Sequence, residues 1–331
     1  MVERDKYIDF LRFLGITLIV IAHIDAPFTL TQLRTFDVPL MVFVSGLSYS
    51  GRSLKPSWSS FYWPRIKRII VPVYIFLSFY FVFFYLLGLP LTWEKVINSY
   101  LLSTDGSIGY VWIMRVFLLI MIVTPLLCNI NKHFNNTYFY LLLLAIFLSN
   151  CALVYVLEKY ANTSSLIIIE ETMPYLLGYS IFFLLGLRLK ESKNKYGLLI
   201  LVGVLFVFSY IILKANGLID DAERGINSFK YPPTHVFILY GAVMCMTLWF
   251  LRNTLCYFAN NRFVLFVGRN TIWIYLWHIL FVILSYKLFD NWIVRYFFVY
   301  IGAISLYMVQ YVVVKQLEKR YNWTCLKYLR G

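Results

Sequence analysis

The chain has 331 residues, of which 61% are hydrophobic and 14% charged. Soluble globular chains are roughly half apolar and a quarter charged, so an ordinary soluble protein is excluded and the lipid bilayer is the expected first partner. A net charge of +14 would suit a nucleic-acid binder, but the basic residues stand between apolar blocks rather than along one aromatic-studded face, so no nucleic acid is expected.

A spanning helix needs about 20 mostly apolar residues, and the sequence predicts ten, over roughly 8–27, 35–51, 69–88, 110–130, 137–157, 172–190, 196–213, 235–251, 264–287 and 292–314. The expected fold class is therefore an all-α polytopic membrane protein. No internal repeat, low-complexity tract or Gly/Ser linker divides the chain, which predicts a single membrane-embedded domain over 1–331.

The first span carries Asp9 and Arg12 near its start and lacks a small-residue cleavage pattern, so it reads as a retained helix rather than a signal peptide. Between the second and third spans, SWSSFYWPRIKRII mixes Trp58, Phe61, Tyr62 and Trp63 with Arg65, Lys67 and Arg68. That pattern predicts a short helix lying along the inner interface. In the ninth span, Gly268, Arg269 and Asn270 interrupt the apolar run near its start.

Loops on the side that holds both termini collect nineteen Lys and Arg residues, against seven (Arg34, Lys95, Lys159, Lys214, Arg224, Lys230 and Lys287) on the other side. The positive-inside rule then places both termini in the cytoplasm. Most acids, from Glu94 and Asp105 to Asp220, Asp221 and Glu223, fall in the outer loops. The five cysteines, Cys128, Cys151, Cys245, Cys256 and Cys325, form no CxxC pair, so neither a disulfide framework nor a metal site is expected.

An ionisable side chain inside the bilayer costs roughly 2.5–3.5 kcal/mol on insertion scales, which makes each one a functional candidate. Arg12 and His23 lie eleven positions apart, about 20° from alignment after three helical turns and about 16 Å along the axis. Asp9 falls about 40° to the other side of alignment with His23, so all three share one stripe. Two readings stay open for this helix alone: a polar passage leading to a reactive histidine, or an Arg12–Asp9 pair near the headgroups with His23 as a packing residue. His278, in GRNTIWIYLWHIL, occupies a comparable depth in a helix running the same way. If the two helices are neighbours, the histidines meet near mid-membrane. His133 reads as solvated and His235 as an outer helix start.

Several blocks resemble acyltransferase family 3, membrane-embedded enzymes that acylate surface glycans. IDFLRFLGITLIVIAH resembles the family's opening signature with its Arg12-x10-His23 spacing. VPLMVFVSGLSY is similar to its second helix, with Ser45 and Gly46; PRIKRIIVPVY, with Arg65, Arg68 and Pro72, to its basic approach to the third; GYVWIMRVFLLIMIVTPLL, with Trp112 and Pro125, to its fourth; and GRNTIWIYLWH, with Tyr275, Leu276 and His278, to its late signature. The resemblance runs from about residue 5 to 315. Where some members place a histidine before the second-helix Pro-Leu, this chain has Asp37, and a single-domain mechanism is expected, without the C-terminal domain fused to some relatives.

The resemblance implies a multi-pass protein of the cell's inner (cytoplasmic) membrane that transfers an acyl group, most commonly acetyl, from cytoplasmic acyl-CoA to a sugar hydroxyl of a lipid-linked or surface polysaccharide. Acetyl-CoA is then a co-substrate, with Arg12, Arg65, Lys67 and Arg68 as candidate partners for its phosphates, although a basic inner loop is required by orientation alone. Asp9 would support Arg12. His23 and His278 are the candidate catalytic residues, His23 as general base or transient acyl acceptor. A transporter or flippase for a glycan or another anionic lipid-linked substrate would also carry intramembrane charges, but such proteins often show paired repeats with broken helices, and none is present here.

Overall fold

The computed structural model describes residues 4–51, 57–160, 167–190, 195–220, 223–321, 323 and 326–330. Arg52, Lys55, Lys193, Asp221 and Cys325 lie outside the described residues. Fifteen α-helices follow one another: α1 (Lys6–Ile21), α2 (Phe28–Leu33), α3 (Asp37–Tyr49), α4 (Trp63–Leu86), α5 (Trp93–Tyr100), α6 (Trp112–His133), α7 (Asn136–Lys159), α8 (Ile167–Leu189), α9 (Lys195–Ala215), α10 (His235–Phe250), α11 (Arg252–Leu255), α12 (Arg262–Arg269), α13 (Thr271–Leu288), α14 (Trp292–Arg320) and α15 (Lys327–Arg330). No strand occurs among the described residues.

Seven of these helices are long and apolar enough to cross a membrane: α4 with the π-helical turn before it, α6, α7, α8, α9, α13 and α14. The expected spans 8–27, 35–51 and 235–251 are instead helices of 16, 13 and 16 residues. At 1.5 Å per residue these reach only about 20–24 Å, short of a hydrocarbon core of about 30 Å. The reason is local. Asp25 adopts a left-handed φ of 50° after α1, and Gly51, at φ 73°, follows α3. Each of these short helices contributes much of its surface to the protein core, with Leu11, Ile16, Val38, Phe43, Phe237 and Cys245 fully buried. By contrast α9 turns Ile200, Val204, Phe208 and Ile211 outward. Exposed apolar surface on that scale is tolerated in lipid and not in water, and the protein is a multi-pass membrane protein.

Two expectations about helix boundaries need correction. The basic aromatic segment at 57–68 does not lie apart as an interfacial helix: it runs without a break into α4, giving one 29-residue helix from Trp58 to Leu86. Pro64, in the first turn of α4, suits a helix start, and no breaker separates Arg68 from Ile69. The expected span 264–287 is two helices, α12 and α13, broken at Asn270, whose side chain bonds back to the Phe266 carbonyl at 2.7 Å.

Close backbone approach organises the interior. Between α3 and α8, Gly46 and Gly186 face each other so tightly that a methyl group on either would strike the carbonyl oxygen of Phe183 or Phe43. Between α1 and α12, a methyl group on Gly268 would strike the carbonyl oxygen of Asp9. These contacts bring the starts of α1 and α13 to one face of the bundle, called here the basic face. The turn after α1, the start of α6 and the segment before α10 meet towards the opposite face.

Candidate active site

His23 and His278 are in contact. His23 Nδ1 lies 3.1 Å from His278 Nε2, with ring centroids 5.3 Å apart. His278 is fully buried, seven residues into α13, and its Nδ1 bonds the backbone carbonyl of Tyr275 one turn earlier. A carbonyl only accepts, so Nδ1 of His278 carries the proton. In a neutral imidazole its Nε2 is then the acceptor. The shared bond therefore runs from His23 Nδ1–H to His278 Nε2, and the lone pair of His23 resides on Nε2. Tyr110 closes the other side, its ring edge-on to His23 at 4.8 Å, and its carbonyl accepts from Tyr275 Oη.

His23 is not within the first helix, as its spacing from Arg12 suggests, but in the turn that follows Ile21. Pro27 disfavours α backbone at the residue before it, and Asp25 in the left-handed region breaks the run sooner. That turn is held from outside. Arg295, on α14, reaches Asp25 Oδ2 at 2.9 Å and the Phe289 carbonyl at 2.7 Å, its guanidinium 4.3 Å from the Tyr286 ring centroid. Tyr286 Oη donates to the His23 carbonyl at 3.2 Å.

Asp9 does not join the histidines. Its fully buried carboxylate collects three guanidinium groups at the basic face: Arg4 at 2.7 and 2.8 Å, Arg12 Nη1 at 2.9 Å and Arg269 Nε at 3.1 Å. Arg12 also donates to Ser48 Oγ at 2.9 Å. One carboxylate among three arginines leaves an excess of positive charge. Arg269 continues this surface into a cleft of about 420 Å³ lined by Arg262, Phe266, Tyr311 and Arg330. The first-helix stripe thus splits into an anion-attracting group at one end and an imidazole pair at the other.

Arg65 bonds Tyr49 Oη and the Phe61 carbonyl, both at 2.9 Å, and lies over the Phe61 ring at 4.0 Å. Lys67 sits 5.1 Å from the Trp63 ring centroid. Arg68 is exposed and acts electrostatically on Arg12. His133 ends α6 and His235 begins α10.

A third charged group was not legible in the sequence. Asp37, at the start of α3, accepts from Arg34 Nη1 at 3.0 Å and from Lys230 Nζ at 2.9 Å, and all three side chains are buried. Burial lowers the pKa of the Lys230 ammonium, against the opposing pull of Asp37. Arg34 and Lys230 read as loop charges in sequence because the pairing spans almost two hundred residues; the departure from the family pattern at Asp37 was the only hint. Nearby, Arg115 and Glu171 form a further ion pair at 2.6 Å, with Ser103 and Thr104 bonded to the same carboxylate.

The all-helical bundle, with seven helices long and apolar enough to cross a membrane among the described residues, defines an integral membrane protein. A family model described as an acyltransferase domain, that of acyltransferase family 3, matches residues 5–312, and the chain belongs to that family. It is an acyltransferase. Neither curated proteins nor solved structures gave a match to this chain.

Proposed function

We propose that the protein transfers an acetyl group from cytoplasmic acetyl-CoA to a hydroxyl of a lipid-linked or surface saccharide, as one domain in the cell's inner (cytoplasmic) membrane with both termini cytoplasmic. The observation that carries this reading is the directed imidazole pair. With Nδ1 of His23 committed to His278, its Nε2 lone pair is available to take the proton of an acceptor hydroxyl. The hydroxyl oxygen attacks the thioester carbonyl carbon, the carbon–sulfur bond breaks, and the departing thiolate recovers the proton. His278, itself oriented by the Tyr275 carbonyl, holds His23 in the reactive tautomer and accepts from the imidazolium that forms. This is the role an orienting group plays in other base-assisted acyl transfers.

The donor fits the basic face. Guanidinium groups in excess around Asp9 suit the phosphates of coenzyme A, with Arg12 bonded to Asp9 and Arg68 acting electrostatically on it; Arg65 and Lys67 would add to the same basic side. The basic excess of the loops on this side supports the cytoplasmic assignment. The test is transfer itself. Purified protein in lipid nanodiscs, given labelled acetyl-CoA and a glycan fraction from membranes that lack the protein, should move label into the glycan. Label that stays with the donor, or that moves equally well without the protein, would contradict the proposal.

A further inference from the structure

Arg34, Asp37 and Lys230 form a charged cluster that is electrically incomplete. Their side chains are 5%, 2% and 3% exposed. Asp37 Oδ1 also accepts the Val38 backbone N–H at 2.7 Å, so its single negative charge is spread over three donors. Among the described residues, Asp37 is the one carboxylate in ion-pair contact with Arg34 and Lys230. Two buried cations therefore share one carboxylate, and one positive charge has no counterion. Hydrogen bonding is incomplete too. Arg34 has five N–H donors and Lys230 three; Arg34 bonds Asp37 and, at 3.4 Å, Asn227 Oδ1, while Lys230 bonds Asp37 alone. Arg34 Nε is buried without a partner. A buried charge and a buried donor left unpaired are each costly, and an anion with two or more oxygens would satisfy both.

The cluster adjoins the histidines. Tyr110, edge-on to His23, is two residues from Trp112, whose ring lies 5.8 Å from Lys230 Nζ. The Arg34 and Lys230 charges both act on His23. Tyr231, half exposed, packs edge-on against Trp112 at 5.0 Å, and its ring centroid is 5.6 Å from the same ammonium. An aromatic surface of this kind suits the apolar face of a sugar ring.

Resting on the acyltransferase reading above, we infer that Arg34 and Lys230 form an anion subsite for the acceptor, which is an acidic saccharide carrying a carboxylate or a phosphate beside the hydroxyl that His23 deprotonates. The anion supplies the missing counterion, takes up the unpaired Nε–H, and fixes the sugar with its hydroxyl towards His23. Asp37 is then the positioning residue that holds the two cations in register.

The two anions can be told apart chemically. The glycan fraction is offered untreated, after carbodiimide–borohydride reduction of its carboxylates, and after hydrogen fluoride removal of its phosphates. Transfer from labelled acetyl-CoA should fall at least tenfold after one treatment, and which one identifies the anion. Undiminished transfer into glycan that has undergone both treatments would overturn the inference while leaving the acyltransferase reading intact; no transfer into untreated glycan would overturn both. Lys230→Gln should raise the KM for untreated glycan about tenfold with the KM for acetyl-CoA unaltered, and Lys230→Arg, which keeps the charge, should restore most of the loss. A parallel rise in both KM values for Lys230→Gln, or no rescue by Lys230→Arg, would make the cluster a purely structural tie.

Discussion

A neutral imidazole has one donor and one acceptor, so in a chain of two the direction of each proton is set by whatever holds the far end. Here that is the Tyr275 carbonyl, which can only accept. The resulting order predicts unequal costs. Replacing His23 with Ala should lower transfer by about 10²-fold or more, the range of general-base catalysis, with insertion and expression little changed; near-normal glycan acetylation would remove His23 from the reaction. His278→Gln keeps an amide oxygen that can accept from His23, whereas His278→Leu leaves His23 Nδ1–H without a partner. The Gln variant should therefore retain more activity than the Leu variant, with both below wild type, and full activity in His278→Leu would reduce that residue to packing. The two histidines were legible as candidates, and their meeting followed from helix direction only on the condition that the two helices are neighbours; that His23 sits in a turn beyond the first helix was not legible from spacing. Nor were Tyr110, Tyr286 and Arg295 legible, because their roles depend on contacts made across sequence separations that no local pattern encodes.

Helices place these groups through two kinds of constraint. The first is close approach at glycine. Gly46 was visible as part of a family motif, and its physical reason is the α3–α8 contact, where a side chain meets backbone rather than a flexible neighbour. Gly46→Ala is expected to cost about 1–3 kcal/mol through overpacking, read as a lower midpoint in thermal unfolding in nanodiscs; an unchanged midpoint would show that the two helices separate easily. The second constraint is the left-handed turn at Asp25. A β-branched residue there is strained by about 1–2 kcal/mol, so Asp25→Val should lose transfer activity as the His23 turn shifts, whereas Asp25→Gly should keep the backbone and much of the rate. Equal activity in the two variants would mean that the turn does not set the histidine geometry. The segment that begins α4 was misread in sequence because aromatic and basic residues suit an interfacial helix and the first turns of a spanning one equally well. Only the absence of a breaker between Arg68 and Ile69 distinguishes them.

Across the whole molecule, the short helices α1, α3 and α10 lie among longer neighbours, and the charged groups separate towards two faces. The all-α class and most span positions follow from hydropathy, but helix length does not, since a buried short helix and a lipid-facing long one are equally apolar. The expected orientation puts Lys190 on the inner side and Asn216 on the outer. Cysteines introduced singly at these positions, in a chain whose native Cys256 and Cys325 are replaced, should label from opposite sides of intact cells and inverted vesicles; labelling from the same side would overturn the orientation and the cytoplasmic donor with it. The central claim is narrower, that the two imidazoles act as one unit. It is tested most directly by the acetyl-transfer rates of His23→Ala, His278→Leu and the double variant. Residues that work as a unit are strongly non-additive, so the double variant should be no slower than His23→Ala within about twofold. Losses that multiply, each histidine costing the same with or without the other, would contradict the account.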